Sequence, residues 1–167
     1  MSVASYDVTV MPPRITVRKA TPKDYALLKE IKTEFYNWEC DHDERLDPTY
    51  AERVLGSRLA RNLRQNNTAF FLAFKEDAVI GYAGAEVKES PIFVKARRQG
   101  HLFNLYVRPG HRSEGAGSKL LAAAHDWFRQ QRVDEIILEP YAFNTKAQKF
   151  YARHGYKEYM VTFVKKT

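Results

Sequence analysis

The sequence predicts a mixed fold, of the α/β or α+β kind, with helices packed on the faces of a central sheet. Three observations carry that reading. Short alternating or β-branched runs recur along the chain, amphipathic helical segments separate them, and proline, glycine and asparagine punctuate the joints. The expected order is strand, two helices, three strands, helix, strand, helix, strand. At 167 residues the chain can bury a core without staples, and one domain accounts for residues 14–167. Residues 1–13 read as a loose leader closed by Pro12-Pro13.

Each element has its own signal. Ile15-Thr16-Val17-Arg18 alternates and reads as the first strand. Thr21-Pro22-Lys23-Asp24 then supplies a hydroxyl cap, a proline at the first helical position and a carboxylate in the first turn. Leu28, Ile31 and Phe35 follow at helical spacing. Asp47-Pro48 repeats the start signal, and Val54, Leu55, Leu59 and Leu63 continue a second helix that ends near Gln65-Asn66-Asn67. Two strands are expected at 69–74 and 79–87, joined by the hairpin-like Lys75-Glu76-Asp77-Ala78, and a third at 101–107. A helix over about 115–130 carries Leu120, Leu121, Ala124, Trp127 and Phe128 on one face. The run at 135–138 is a short buried strand. Asn144 caps a helix bearing Ala147, Phe150 and Tyr151, Gly155 stops it, and 156–164 closes as a last strand.

Composition narrows the function classes. A mean hydropathy of -0.52 and the absence of a long apolar run argue against a membrane-spanning protein. The start of the chain lacks a basic region followed by an apolar one, so no secretion signal is expected. A single cysteine, Cys40, gives no intrachain disulfide and no Cys-rich metal site, and a cytoplasmic location with no metal fits. The net charge of +7 suits nucleic acid or any polyanionic cofactor. Because the cations are spread along the chain, a solvated basic surface is the preferred reading, without nucleic acid as a partner.

The most informative segment runs from Leu105 to Leu121. A strand enters a glycine-bearing turn that opens directly into an amphipathic helix. Gly115 and Gly117 let a ligand approach the backbone, and the free N–H groups and dipole of the helix start favour an anion. Arg112 adds a permanent charge suited to bidentate phosphate contacts. Two glycines alone would only shape a tight turn; the arginine and the strand–helix context favour the anion site. Neither a P-loop nor a dinucleotide fingerprint fits, because Gly-Lys-Ser/Thr is missing and Leu120 stands where a third glycine belongs.

Arg112-Ser113-Glu114-Gly115-Ala116-Gly117 resembles the Arg/Gln-x-x-Gly-x-Gly/Ala signature of the GCN5-related N-acetyltransferase (GNAT) superfamily. Asn144 to Tyr156 resembles its second signature, Asn-x-x-Ala-x-x-Phe-Tyr ending in Gly-Phe/Tyr, and Val17 to Asp24 its opening strand-to-helix junction. The resemblance implies a mostly antiparallel central sheet of six to seven strands with helices on both faces. It implies an acyltransferase that moves an acetyl group from acetyl-CoA to a primary amine by direct attack on the thioester. Leu105, Tyr106 and Val107 would pair with the pantetheine arm. The loop from Arg112 through Ser113, Glu114, Gly115, Ala116 and Gly117 to Ser118 would hold the pyrophosphate. Asn144 would meet the arm as well as cap its helix. Tyr151 would contact the cofactor as general acid, protonating the departing thiolate. A homodimer is a family-level expectation.

Some relatives carry a glutamate base in the strand before the loop; here that position is Phe103, followed by Asn104. Glu86, Glu139 and His101, or the cluster from Glu39 to Glu44 acting through water, are the substitutes. Trp38, Glu39, Asp41 and His42 lie in the region that borders the acceptor in the family, and carboxylates beside aromatics would suit a cationic amine. A Cys40–His42–Asp nucleophile is set aside, since adjacency in sequence does not give reacting geometry. The alternative function is a catalytically inactive CoA-binding module, regulatory or associated with nucleic acid, which the missing strand carboxylate and the basic balance would favour.

Overall fold

The computed structural model describes residues 14–167, so the expected leader lies outside the described residues. Of the described residues, 14–137 form one compact unit and Leu138–Thr167 a second. The first is built on a five-stranded sheet in the order β1-β2-β3-β4-β5. Strands β1 (Ile15–Lys19), β2 (Thr68–Lys75), β3 (Ala78–Glu89) and β4 (Arg98–Val107) pair antiparallel, and β5 (Glu135–Ile137) joins β4 in parallel. This is the mixed, mostly antiparallel sheet that the resemblance implies, with five strands among the described residues instead of six to seven.

Alternation along the strands decides which side chains meet which helix. Phe70, Leu72, Tyr82 and Tyr106 close a cluster with Leu28 and Ile31 of α1 (Tyr25–Cys40) and Leu59 of α2 (Gly56–Asn62). Helix α3 (Ala116–Gln130) covers the opposite face. It packs so closely that a methyl group on Gly81 would lie 3.2 Å from Leu120, and one on Gly100 2.7 Å from Phe128. Helices therefore cover both faces.

Helix α1 starts as its sequence signal predicts. A 3-10 turn over Pro22–Asp24 leads into it, and the Asp24 carboxylate accepts from the Thr21 N–H at 2.8 Å and the Thr21 hydroxyl at 2.9 Å. Arg18 grips the same carboxylate at 2.6 and 2.9 Å, which holds its pKa far below the usual carboxylate range. Arg108 ties the end of β4 back to this helix. It donates to the Val79 carbonyl at 2.6 Å, to Glu34 at 2.5 and 2.9 Å and to Glu30 at 2.7 Å.

Three expectations are corrected. The Asp47 carboxylate does not cap a helix but accepts from the Thr49 N–H and hydroxyl at 2.9 and 2.7 Å, a local turn. The second helix then begins with a wide π-type turn over Ala51–Leu55 before α2. The 135–138 run is an edge strand with Glu135 exposed and its isoleucines half-buried, because only β4 pairs with it. Residues 156–164 form no strand. Their apolar groups fall on both parities, and Tyr159 and Phe163 stand 87% and 91% exposed, so no single face is buried to hold a register. The second unit holds one helix, α4 (Thr145–Arg153), where the Asn144 side chain accepts from the Ala147 N–H at 3.1 Å and Gly155 turns the chain at φ 88.

Two stability predictions follow from these contacts. Gly81→Ala places a methyl 2.8 Å from the Tyr106 carbonyl, which should cost about 1–3 kcal/mol and lower the thermal midpoint by several degrees in a calorimetric scan. Asp24→Asn should lower the midpoint at pH 7. Because the folded pKa is depressed, Asp24 stabilises above its unfolded value of about 3.9 and loses that contribution as pH falls through the folded value. The gap between wild type and variant should therefore persist to about pH 4 and close only below it.

Candidate active site

The site is organised by an asymmetry of β4. One edge pairs with β3 along its whole length, whereas the other meets β5 only at Gln99, Gly100 and His101. From Leu102 to Val107 that second edge has no strand partner among the described residues. Apart from the Val107 carbonyl, which Arg112 occupies, the backbone donors and acceptors of this edge are available to an extended ligand. Leu105 is half-buried while Tyr106 and Val107 are buried, so the side chains that anchor this edge belong to the core.

The free edge runs into the glycine loop. After a 3-10 turn at Pro109–His111, Ser113 and Gly115 take left-handed φ of 67 and 88 before α3 begins at Ala116. No side chain caps α3, so its first N–H groups, from Ala116 through Ser118, remain for an anion. A Cβ at Gly115 would meet nothing within 4 Å, so the space over the turn is open. Arg112 donates through Nε to the Val107 carbonyl at 3.0 Å, which fixes its side chain across the strand end. The Glu114 carboxylate is held by Lys75 at 2.7 Å, and this partner keeps its pKa below the usual range.

Between Gly84 and Ala85 the β3–β4 register shifts, pairing Gly84 with Asn104 and Ala85 with Leu102, so Phe103 is the extra residue of a β-bulge. The bulge turns Phe103 and Asn104 toward α1. The Phe103 ring meets Phe70 at 5.8 Å and His101 at 6.1 Å, and Asn104 accepts a hydrogen bond from Lys32 of α1 at 2.9 Å. Lys32 also lies 5.1 to 5.6 Å from the Tyr82, Phe70 and Phe103 ring centroids.

Two of the three base candidates meet: His101 Nδ1 and Glu86 Oε1 are 3.1 Å apart across β3 and β4. Glu86 also pairs with Lys88. Desolvation pushes the Glu86 pKa up, but Lys88 and His101 outweigh it and the net shift is downward. Glu139 belongs to the second unit.

The acidic segment is largely engaged with itself. Trp38 and Glu39 end α1 and Asp41 follows it; the His42 ring lies 4.5 Å from the Trp38 ring, with its Nδ1 2.7 Å from the Trp38 carbonyl. Arg45 binds Asp43 at 2.5 and 2.8 Å, which lowers the Asp43 pKa.

In the second unit Asn144 is the α4 cap, and Tyr151 on the same helix packs edge-on to Phe150 and Tyr156 at 5.3 and 5.7 Å. Burial pushes the Tyr151 hydroxyl up to about 12. Among the described residues, no group of three or more His, Cys, Asp or Glu could hold a metal ion, and no helix is long and apolar enough to cross a membrane.

Lys32, its contact with Asn104 and the bulge were missed by sequence reasoning. A signal existed: Lys32 lies four residues after Leu28 and three before Phe35, a cation on the apolar stripe of a helix.

Comparison with known proteins identifies the family and the fold. The family model for the acetyltransferase (GNAT) family matches residues 26–156. The uncharacterised N-acetyltransferase YhfO of Bacillus subtilis is 26% identical over 144 residues, covering 86% of this chain and 91% of that one. Human N-acetyltransferase 8 is 29% identical over 96 residues, 58% of this chain but only 41% of that protein's length. Among solved structures, the aminoglycoside N-acetyltransferase AAC(6')-Iy in complex with CoA superposes with a TM-score of 0.77 at 19% identity, over 95% and 99% of the two chains. The BH1408 protein of Bacillus halodurans reaches 0.79 at 18% identity, over 91% and 99%. The family match and the fold thus define one class, that of the GNAT-type acetyltransferases. The chain belongs to the GNAT acetyltransferase family.

Gly115→Val should raise the Kd for CoA at least about tenfold in calorimetry with secondary structure retained, since a β-branched residue at φ 88 strains the turn that presents the N–H groups.

Proposed function

We propose that the domain over 14–167 transfers an acetyl group from acetyl-CoA to a primary amine, and that the glycine loop, the free β4 edge and Tyr151 carry the reaction. The observation that carries this reading is the continuity of the unpaired β4 edge with an uncapped helix start. An edge of free backbone groups suits the amide-rich pantetheine arm, and the N–H groups of α3 suit a pyrophosphate. Arg112 adds positive charge there, and Lys75 offsets the negative charge of Glu114. Asn144 serves as cap of the helix that presents Tyr151.

The chemistry assigned to Tyr151 follows from its environment. A phenol whose pKa is pushed up to about 12 stays protonated throughout the working range and donates to a thiolate as the thioester breaks. The acceptor is a primary amine. Aminoglycoside enzymes of the same fold were solved with sisomicin and with a CoA–acetylneamine bisubstrate analogue, which supports an amine as acceptor. In this chain Asp41, with Trp38, Glu39 and His42, is the acceptor-side surface we assign. A cytoplasmic location and a homodimer, expected from the sequence, belong to the same proposal.

Calorimetric titration with acetyl-CoA, CoA and ATP tests the cofactor half. Binding of both CoA forms in preference to ATP supports it; absence of CoA binding removes it. A screen of amines for thiol release then tests the reaction. Tyr151→Phe should lower kcat by about 100-fold or more while leaving CoA affinity within roughly twofold. With its hydroxyl protonated to about pH 12, Tyr151 should give no descending limb in the wild-type pH–rate profile below about pH 10.

A further inference from the structure

We propose that Lys32, projecting from α1 onto the β4 bulge, is the base that takes the proton of the acceptor ammonium. The inference rests on the acetyltransferase reading and supplies the group that the strand itself lacks.

The position comes from the polarity of the site. The phosphates belong at 112–118, beyond the C-terminal end of β4, and the arm runs back along Val107, Tyr106 and Leu105. At about 3.3 Å per residue, the thioester end of such a ligand reaches toward Asn104 and Phe103. The nitrogen that stands there is Lys32 Nζ, 2.9 Å from Asn104 Oδ1 and 5.6 Å from the Phe103 ring centroid. A carboxylate is absent from Phe103 and Asn104, so the proton acceptor enters from the helix instead of the strand.

The surroundings suit a group that changes charge. Desolvation is the largest influence; with Glu39 opposing it and Arg58 adding to it, the Lys32 pKa is lowered to about 8. The other faces are the Phe70, Phe103 and Tyr82 rings and the Asn104 amide. The Tyr82 hydroxyl is buried without a hydrogen-bond partner and its own pKa is raised by burial, so it does not compete for the proton. The rings favour the ammonium modestly and desolvation favours the amine, which leaves both forms accessible near neutrality.

The step balances. Neutral Lys32 accepts one proton from R–NH3+, giving R–NH2 and the Lys32 ammonium. The amine nitrogen forms a bond to the thioester carbon, and the C–S bond breaks with its electron pair on sulfur. Tyr151 protonates that thiolate, and the second nitrogen proton, released as the amide forms, restores the Tyr151 hydroxyl. Lys32 returns its proton to solvent.

The test compares wild type, Lys32→Met, Lys32→Arg and His101→Gln on an amine that wild type turns over. Arginine keeps the charge but cannot lose a proton in this range. The expected result is an ascending limb of kcat/KM centred near 8 that stays fixed when acceptors of different amine pKa are used. Both Lys32 variants should lose that limb and about 100-fold or more in kcat, with calorimetric CoA affinity unchanged. Retention of wild-type kcat by Lys32→Arg overturns the proposal. So does a limb that tracks the acceptor, or one abolished by His101→Gln, which would assign the proton to the His101–Glu86 pair. Failure of wild type on every amine would instead count against the acetyltransferase reading, so the two failures are told apart. Should Lys32→Met lose its fold by circular dichroism, Lys32→Arg and the pH profile still decide the matter.

Discussion

The end of the β4–β5 pairing at His101 is the constraint on which the proposed site depends. A central strand normally spends its backbone groups on two neighbours. Here β4 spends them on β3 throughout and on β5 for only three residues. A strand edge left open inside a protein must be rigidly supported, and β4 is. Arg108 pins its end to Glu30 and Glu34, and Tyr106 packs in the core against Tyr82 and Phe35. The side chains of the strand are thus fully used while part of its main chain is not, which is the combination a main-chain-reading ligand site requires.

The same strand explains why a lysine can replace a strand-borne carboxylate. The bulge at Phe103 presents two successive side chains to one face, so the surface beneath α1 is ring and amide, without charge. A carboxylate there would face Lys32 directly and form an ion pair, locking both charges. With Asn104 instead, the ammonium gains a single neutral hydrogen bond and three ring faces, which do not outweigh desolvation. Loss of the strand base and the shifted lysine are therefore two sides of one arrangement.

Local chemistry explains what could be read from the sequence. The Thr21–Asp24 start of α1, the Asn144 cap, the Gly155 stop and the left-handed Gly115 are each fixed by neighbours in sequence, and each stands where the residues place it. The turn that opens into α3 and the place of Tyr151 on α4 follow from the same local signals. Long-range pairing was not legible. The bulge depends on how β3 and β4 register, and Lys32–Asn104 joins residues 72 positions apart. Asp47 was misread because the same carboxylate can cap a helix or close a two-residue turn, and Thr49 offered the turn two donors. At 156–164, β-propensity without a one-sided pattern was not enough to make a strand.

The charge balance takes on a different meaning once partners are known. A net +7 suggests a polyanion surface, yet several cations are committed to internal tasks. Arg18 holds the α1 cap, Arg108 the β4–α1 clamp, Lys119 the Ile15 carbonyl at 2.7 Å and Lys75 the Glu114 carboxylate. At the glycine loop, Lys75 neutralises the only carboxylate between Arg112 and Ser118, so the field over the α3 start is set by Arg112 and the free N–H groups. On the proposed reading, an anion at this turn is favoured by a few pairings that remove negative charge locally, and the basic surface at large is not needed.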